Sequence, residues 1–268
     1  MEKIVKQEVN KIFAPLWNQE ARYYILMGGR GAGRSTGGSQ FALSQLLAPD
    51  FFRCAIMRAI HSDIRHSFWR ELNDRIDEQN IRSALHMTEN NMAIEYGRNS
   101  VNAHGFRQSS SSNSAKLKSL ANYNTVIIEE AEEVGEMEFM TLDDSLRTVK
   151  GDIKIILLLN PPAKNHWIIN RWFDLKESGT EGFYIPVLKK EIKNTVFIYG
   201  NFEDNLANLD EETTKRYRAY EFTKPAYYSQ MIKGLVPETV RGKIYNNWMQ
   251  IEDIPEEARL IRFGEDYG

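Results

Sequence analysis

Apolar positions along this chain follow two rhythms. Continuous apolar runs, each stopped by glycine, proline or acid, predict strands buried on both faces: "YYILMGG", "FRCAIMRA", "NTVIIEE" and "DIKIILLLNPP". Between them the apolar residues recur at helical spacing. Phe41, Leu43, Leu46 and Leu47 lie on roughly one face of a helix in "STGGSQFALSQLLA". Ile64, Phe68, Leu72 and Ile76 recur at four-residue steps and predict one long helix through "HSDIRHSFWRELNDRIDEQN". "EMEFMTLDDSLRTV", residues 164–176 and the polar stretch 210–235 also read as helical. "MAIEYG" and "SVNAHGF" alternate around Gly97, which predicts a hairpin. "GFYIPVLKK" and "TVFIYGNF" read as extended, and residues 1–20 as a short helix and approach segment broken at Pro15. "RQSSSSNSAKLKS" is a polar loop, expected to be mobile, and 240–268 is mixed in character.

Buried strands alternating with helices define an α/β fold, a mostly parallel sheet covered by helices on both faces. Ligands bind such sheets at the carboxyl ends of the strands. Composition adds limits. The 268 residues are 42% hydrophobic and 26% charged, enough for one large α/β domain with at most a smaller appendage. The formal net charge of -3 gives no overall basic field. One cysteine, Cys54, excludes an internal disulfide framework and a cysteine-rich zinc site and fits a reducing compartment. No apolar run reaches the ~18 residues of a membrane span, and the charged, amphipathic start is unlike a secretory signal. A cytosolic protein is expected.

Three strand ends carry unusual chemistry. The first, "GGRGAGRST" at 28–36, fits G-x-x-x-x-G-K-[ST] through Gly28, Gly33, Arg34 and Ser35, with arginine in the lysine slot. Such a loop lets backbone N–H groups curl around phosphate oxygens, and the following helix N-terminus adds partial positive charge. Arg30 and Arg34 both stand where a cation for the phosphates is needed, and the sequence leaves that choice open. The second end joins Glu129 and Glu130 to an apolar strand. Glu129 suits a metal-holding role and Glu130 the orientation of an attacking water. Neighbours on an extended strand point to opposite faces, so the two roles need a turn starting at 130. The acids at 132, 133, 136 and 138 read as a solvated run. The third end is Asn160 before Pro161, either a γ-phosphate-sensing amide or a turn residue.

The ordered segments "GGRGAGRS", "CAIMRAIHSDIRHSFWREL", "AKLKSLANYNTVIIEEAEE", "LLLNPPAKNHWIINRWF" and "FIYGNFEDN" resemble the large subunit of tailed-bacteriophage terminases, over roughly residues 20–268. The resemblance implies an ASCE-type P-loop NTPase fold with a small C-terminal lid subdomain. It implies ATP and Mg²⁺ as cofactors and translocation of double-stranded DNA into a procapsid in the host cell cytoplasm. Implied partners are DNA, a portal protein, a small terminase subunit and further copies in a pentameric ring. Carried over by position, Gly28, Gly29, Arg30, Gly31, Ala32, Gly33, Arg34, Ser35 and Thr36 form the Walker A loop, with Ser35 and Glu129 toward the metal. Glu130 is the catalytic glutamate, Asn160 with Pro161 the coupling motif, and Gln19 and Arg22 the adenine-contacting segment. Lys118, with Arg107 as the alternative, is the candidate trans-acting finger.

The expected organisation is a P-loop core over 1–176, remaining core strands and a lid over 177–258, and a nuclease start over 259–268. "RLIRFGEDYG" resembles the first strand of an RNase H-like nuclease, with Asp266 at its metal-binding position. No nuclease activity is expected, since one carboxylate cannot build a two-metal site. Arg58, Arg65, Arg98 and Arg107 are candidate contacts to the DNA backbone. Two rivals are a non-hydrolysing nucleotide-binding assembly module and another P-loop ATPase such as a helicase.

Overall fold

The computed structural model describes residues 7–107, 118–148 and 150–239, with backbone alone at 118 and 119. The chain enters through a 3₁₀ turn, Lys11–Phe13, and a single helical turn, α1 (Pro15–Asn18). Pro15 is the first residue of α1 rather than a break, because its missing N–H is an orphan at that position anyway.

Strand β1 (Tyr23–Gly28) is buried along its whole length and leads through the glycine loop into α2 (Arg34–Leu47). Next come β2 (Arg53–Ile60), a 3₁₀ segment (His61–His66) and α3 (Phe68–Glu78). The single long helix expected over 61–80 is thus two pieces, parted at Ser67, whose backbone is non-helical. Strands β3 (His86–Thr88), β4 (Ala93–Tyr96) and β5 (Asn99–Arg107) follow, β4 and β5 pairing antiparallel across Gly97 at φ 58°. Then come β6 (Thr125–Glu129), α4 (Glu136–Ser145), β7 (Lys154–Leu159) and α5 (Trp167–Trp172).

The helix expected over 164–176 ends at Trp172. Phe173 begins β8 (Phe173–Glu177), whose burial alternates and which pairs antiparallel with β9 (Phe183–Leu188). Position 176/177 therefore lies within β8. β10 (Thr195–Gly200) returns to the main sheet, followed by a 3₁₀ run (Phe202–Asn208), α6 (Glu211–Thr223), a π-helical turn (Tyr228–Ile232) and β11 (Val236–Pro237).

The main sheet runs β10-β1-β7-β6-β2-β5-β4-β3. From β10 to β5 every pairing is parallel, and only the edge strands β4 and β3 are antiparallel. Period-2 alternation sends side chains to two cores. Tyr24, Leu26, Ile56, Ile127, Ile156 and Leu158 pack against α2 and α3. Ile25, Met27, Met57, Ile128, Ile155 and Leu157 pack against α4 and α5 on the opposite face. There the rings of Tyr23, Phe139, Trp167 and Trp172 meet with centroids 5.0–6.3 Å apart. The smaller sheet, β11-β9-β8, joins that second core through Phe173, whose ring lies 4.6 Å from that of Phe197. Among the described residues no helix is long and apolar enough to cross a membrane. The polar loop from 108 to 117 and the expected nuclease start, Asp266 included, lie outside the described residues.

Candidate phosphate-binding cleft at the strand ends

β1, β6, β7 and β10 are parallel neighbours, so their carboxyl ends arrive together. They open on a cleft of about 840 Å³ lined by the loop from Gly29 to Thr36, by Glu130 and by Asn160. A volume of this size suits a nucleotide-scale ligand. The loop is pinned from below: Gly29 N–H donates to Gly200 O at 3.0 Å and Arg30 N–H to Met231 O at 2.6 Å. Gly33 caps α2 in the left-handed region, at φ 80°, and no side chain caps the helix. The first-turn N–H groups of a fourteen-residue helix are thereby left facing the cleft, the arrangement that attracts an anion.

Arg34 occupies the lysine slot and folds back over the loop. Its guanidinium donates to the Gly28 carbonyl, to Gly29 O at 2.8 Å and to Asn160 Oδ1 at 2.7 Å. Burial lowers its pKa, Glu132 and Glu130 act the other way, and an arginine stays cationic throughout. Arg30 also lines the cleft, but its side chain is exposed at the lip.

Glu130 has φ 48°, a left-handed conformation unusual for a non-glycine residue. This is the turn that two adjacent acids need in order to diverge. Glu129 stays on the strand, 5% exposed, and accepts from Ser67 Oγ, with Arg58 3.9 Å away. Burial raises its carboxyl pKa, while Ser67 and Arg58 oppose that rise. Glu130 turns the other way and accepts from Asn160 Nδ2 at 2.7 Å. Asn160 is thus joined to Arg34 through its oxygen and to Glu130 through its nitrogen.

Other expected residues stand elsewhere. Arg22 precedes β1, at the end opposite the loop, and pairs with Asp143 at 2.5 Å. Gln19 accepts from Tyr24 OH through its carbonyl, and neither residue lines the cleft. Lys118 starts a 3₁₀ turn, Lys118–Asn122, and its side chain lies outside the described residues. Arg107, at the end of β5, forks onto Glu138 with two contacts of 2.8 Å. Arg58 is drawn inward between Glu129 and Glu133, whereas Arg65 and Arg98 hold loop carbonyls at the surface.

Several partners of the glycine loop are not among the residues expected from the sequence. Thr36 Oγ1 donates to Glu71 Oε1 at 2.9 Å, which ties the loop to α3. Asn205 Nδ2 donates to Gly31 O at 2.8 Å. Asn10, Phe13, Leu209 and Tyr217 close the outer side. Glu132, read as one of a solvated run, is drawn in against Asn160. Asn205 sits in the "NFEDN" segment and carried a detectable signal. The others meet only through tertiary structure.

A family model described as phage terminase large subunit matches residues 20–235. Among solved structures the chain is similar to the large terminase of a thermophilic bacteriophage, with TM-score 0.66 at 15% identity, covering 85% of this chain and 54% of that one. The same large terminase in complex with ADP gives 0.64 at 15% identity, over 84% and 53%. A point variant of the Thermus phage P74-26 large terminase ATPase domain gives 0.59 at 13% identity, over 85% and 94%. The chain thus spans about half the length of the first of these proteins and nearly all of the P74-26 domain. No curated protein sequence matches it.

Proposed function

The chain belongs to the phage terminase large subunit family, and from that premise and the cleft's geometry we propose that it is the ATP-hydrolysing motor portion of a viral DNA-packaging machine. The observation that carries this reading is the Asn160 bridge. One side chain touches both the cation of the glycine loop, Arg34, and the acid facing it, Glu130. A group so placed registers whether a γ-phosphate stands between them.

In this reading ATP lies along the loop from Gly28 to Thr36. The uncapped N–H groups of α2 hold phosphate oxygens. Arg34, already at the loop, exchanges its acceptors on Gly28, Gly29 and Asn160 for phosphate oxygens, while Arg30 stays at the lip. Phe13, Leu209 and Tyr217 give the base an apolar and aromatic wall. Glu130 accepts a hydrogen bond from the attacking water and aligns it with the γ-phosphorus. As the water oxygen bonds to the γ-phosphorus, the bond from phosphorus to the ADP oxygen breaks, the water's proton passes to a phosphate oxygen, and inorganic phosphate leaves. Loss of the γ-phosphate frees Arg34 to return to Asn160, which changes the contacts that Asn160 makes with Glu130.

The donors fit Mg²⁺. Ser35 lines the cleft and would offer its hydroxyl directly; Glu129, outside the lining and held by Ser67 and Arg58, would act through the waters that this ion keeps. Among the described residues no cluster of three or more His, Cys, Asp or Glu forms such a cage. Bound there, the ion supplies positive charge to the phosphate oxygens.

We assign the substrate track to the backbone of double-stranded DNA, and the working state to a pentameric ring with the portal and the small terminase subunit in the host cytoplasm. Lys118, just before β6, is the proposed finger into the neighbouring cleft, with Arg107 as the alternative. The lid falls within 177–258, and its described part over the loop is the segment 202–235, which contributes Asn205, Leu209 and Tyr217. The test is Mg²⁺-dependent ATP hydrolysis with and without duplex DNA, for wild type, Glu130→Gln and Arg34→Ala. Turnover that Glu130→Gln abolishes supports the reading. A chain that binds no ATP refutes it.

A further inference from the structure

Glu132 packs against Asn160 beside the cleft, and the reading above gives it no role. Its Oε1 accepts from the Asn160 side-chain amide at 2.8 Å and from the Asn160 backbone N–H at 3.2 Å. Its Oε2 is enclosed and has no hydrogen-bond partner. The same amide nitrogen donates to Glu130 Oε2 at 2.7 Å, so one –NH₂ group holds the two carboxyls side by side. His166 Nε2, 3.1 Å from Glu132 O, ties down the turn that carries the acid.

Two features of this arrangement are costly if both acids are ionised. Like charges in contact repel, and an enclosed oxygen without a donor loses its hydration. A single proton resolves both. With the proton on Glu132, its orphaned oxygen becomes a donor and the adjacent Glu130 carboxylate is the available acceptor. Burial and the charge of Glu130 push the Glu132 carboxyl up to about 8, the direction such sharing requires. Arg34, beyond Asn160, then faces one net negative charge rather than two.

We propose that Glu132 is a positioning residue that works as a neutral acid: it hands a hydrogen bond to Glu130 and, with Asn160, fixes that carboxylate at the mouth of the phosphate loop. Glu132 touches no reacting atom. It acts by denying Glu130 other orientations, and the acidic run that looks like a solvated face therefore has one inward member with a separate task. The assignment rests on Glu130 being the group that orients water.

The experiment compares the whole 268-residue chain as wild type, Glu130→Gln, Glu132→Gln and Glu132→Ala. It measures steady-state ATP hydrolysis together with binding of a fluorescent ATP analogue. Glutamine donates and accepts where a protonated glutamate does, so Glu132→Gln is expected to keep kcat within about threefold, and Glu132→Ala to lose at least about tenfold in kcat with KM and nucleotide affinity moved less than about twofold. If melting curves show that Glu132→Ala is unfolded at the assay temperature, Glu132→Met takes its place, since it fills the site without hydrogen bonds. Its expected loss is the same. A Glu132→Gln protein as inactive as Glu130→Gln overturns the proposal, because ionised Glu132 would then take part. Wild-type kcat in Glu132→Ala or Glu132→Met overturns it as well. Absent wild-type turnover, or turnover indifferent to Glu130→Gln, is a different result and removes the ATPase reading on which the proposal stands.

Discussion

Replacing Asn160 tests the cleft most directly. Its side chain makes three hydrogen bonds: it accepts from Arg34 at 2.7 Å and donates to Glu130 at 2.7 Å and Glu132 at 2.8 Å. A hydrogen bond to a charged group contributes about 1.5–3 kcal/mol. Asn160→Ala removes all three, but only the bond to Glu130 reaches the residue proposed to align the attacking water. At about 1.4 kcal/mol per tenfold, loss of that one bond lowers kcat by roughly 10- to 150-fold. The other two bonds belong to the resting structure and show in stability, because Arg34 loses a partly buried acceptor. Asn160→Asp is the sharper probe. It keeps an acceptor for Arg34 but sets a new carboxylate against the Glu130 carboxylate and the Glu132 carboxyl. It is therefore expected to melt higher than Asn160→Ala and to hydrolyse ATP more slowly. The assay is kcat and KM for ATP hydrolysis beside a thermal melt of each protein. An Asn160→Asp protein with wild-type kcat, or an Asn160→Ala protein within about twofold of it, refutes the reasoning, since the bridge would then not govern Glu130.

Three further outcomes follow from the geometry. Gly33→Ala forces a Cβ into a φ 80° cap, 3.2 Å from the Asn205 amide; the strain of about 1–2 kcal/mol should lower the melting temperature and weaken binding of a fluorescent ATP analogue. Asp143→Asn weakens the tie to Arg22 and Tyr23 at the far end of β1. With Arg22 partly exposed it should cost about 1–2 kcal/mol in denaturant unfolding yet leave nucleotide affinity unchanged, and a loss of affinity would restore Arg22 to the base site. The raised Glu132 pKa sets a pH trend: the folded chain holds a proton that the unfolded chain releases above about 4.5, so this group's contribution to stability falls as pH rises toward about 8 and is flat above it. Melting curves from pH 6 to 9 should fall more steeply for wild type than for Glu132→Gln, and parallel curves would contradict the assignment.

What the sequence disclosed depended on how local each signal was. β1, β6 and β7 are continuous apolar runs bounded by turns, and in such runs the pattern and the burial coincide. The glycine loop was legible because its spacing is itself the mechanism. The stretch after Trp172 was not. Aromatic and charged residues alternate there at spacings that serve a helix or a strand, and pairing with β9 across the turn at 178–182 decides for the strand. Ser67, which parts the expected long helix, is held by the Asp63 carbonyl and by Glu129, a residue from another strand. Glu132 was beyond reach for the same reason. Nothing in "EEAEE" separates one inward acid from its solvated neighbours, because its partner Asn160 arrives from β7.

The arginine in the lysine slot and the asparagine at the end of β7 explain one another. A lysine presents a single nitrogen, whereas the Arg34 fork reaches two loop carbonyls and Asn160 at once. That reach is useful only if an acceptor stands at the next strand end, and Asn160 supplies it. Once Asn160 Oδ1 is committed to Arg34, its –NH₂ group points away toward β6, where the left-handed turn at Glu130 brings two carboxyls to meet it. Such a turn in a non-glycine residue costs about 1–3 kcal/mol and persists only where its surroundings hold it. Here the holding groups are Asn160 and, through it, the cation of the phosphate loop. In the proposed cycle a phosphate that draws Arg34 away loosens one end of this chain of contacts and leaves the other end, Glu130 and Glu132, free to adjust. In that cycle the departure from the lysine consensus links nucleotide to acid, because the Arg34 fork reaches Asn160 and, through it, Glu130.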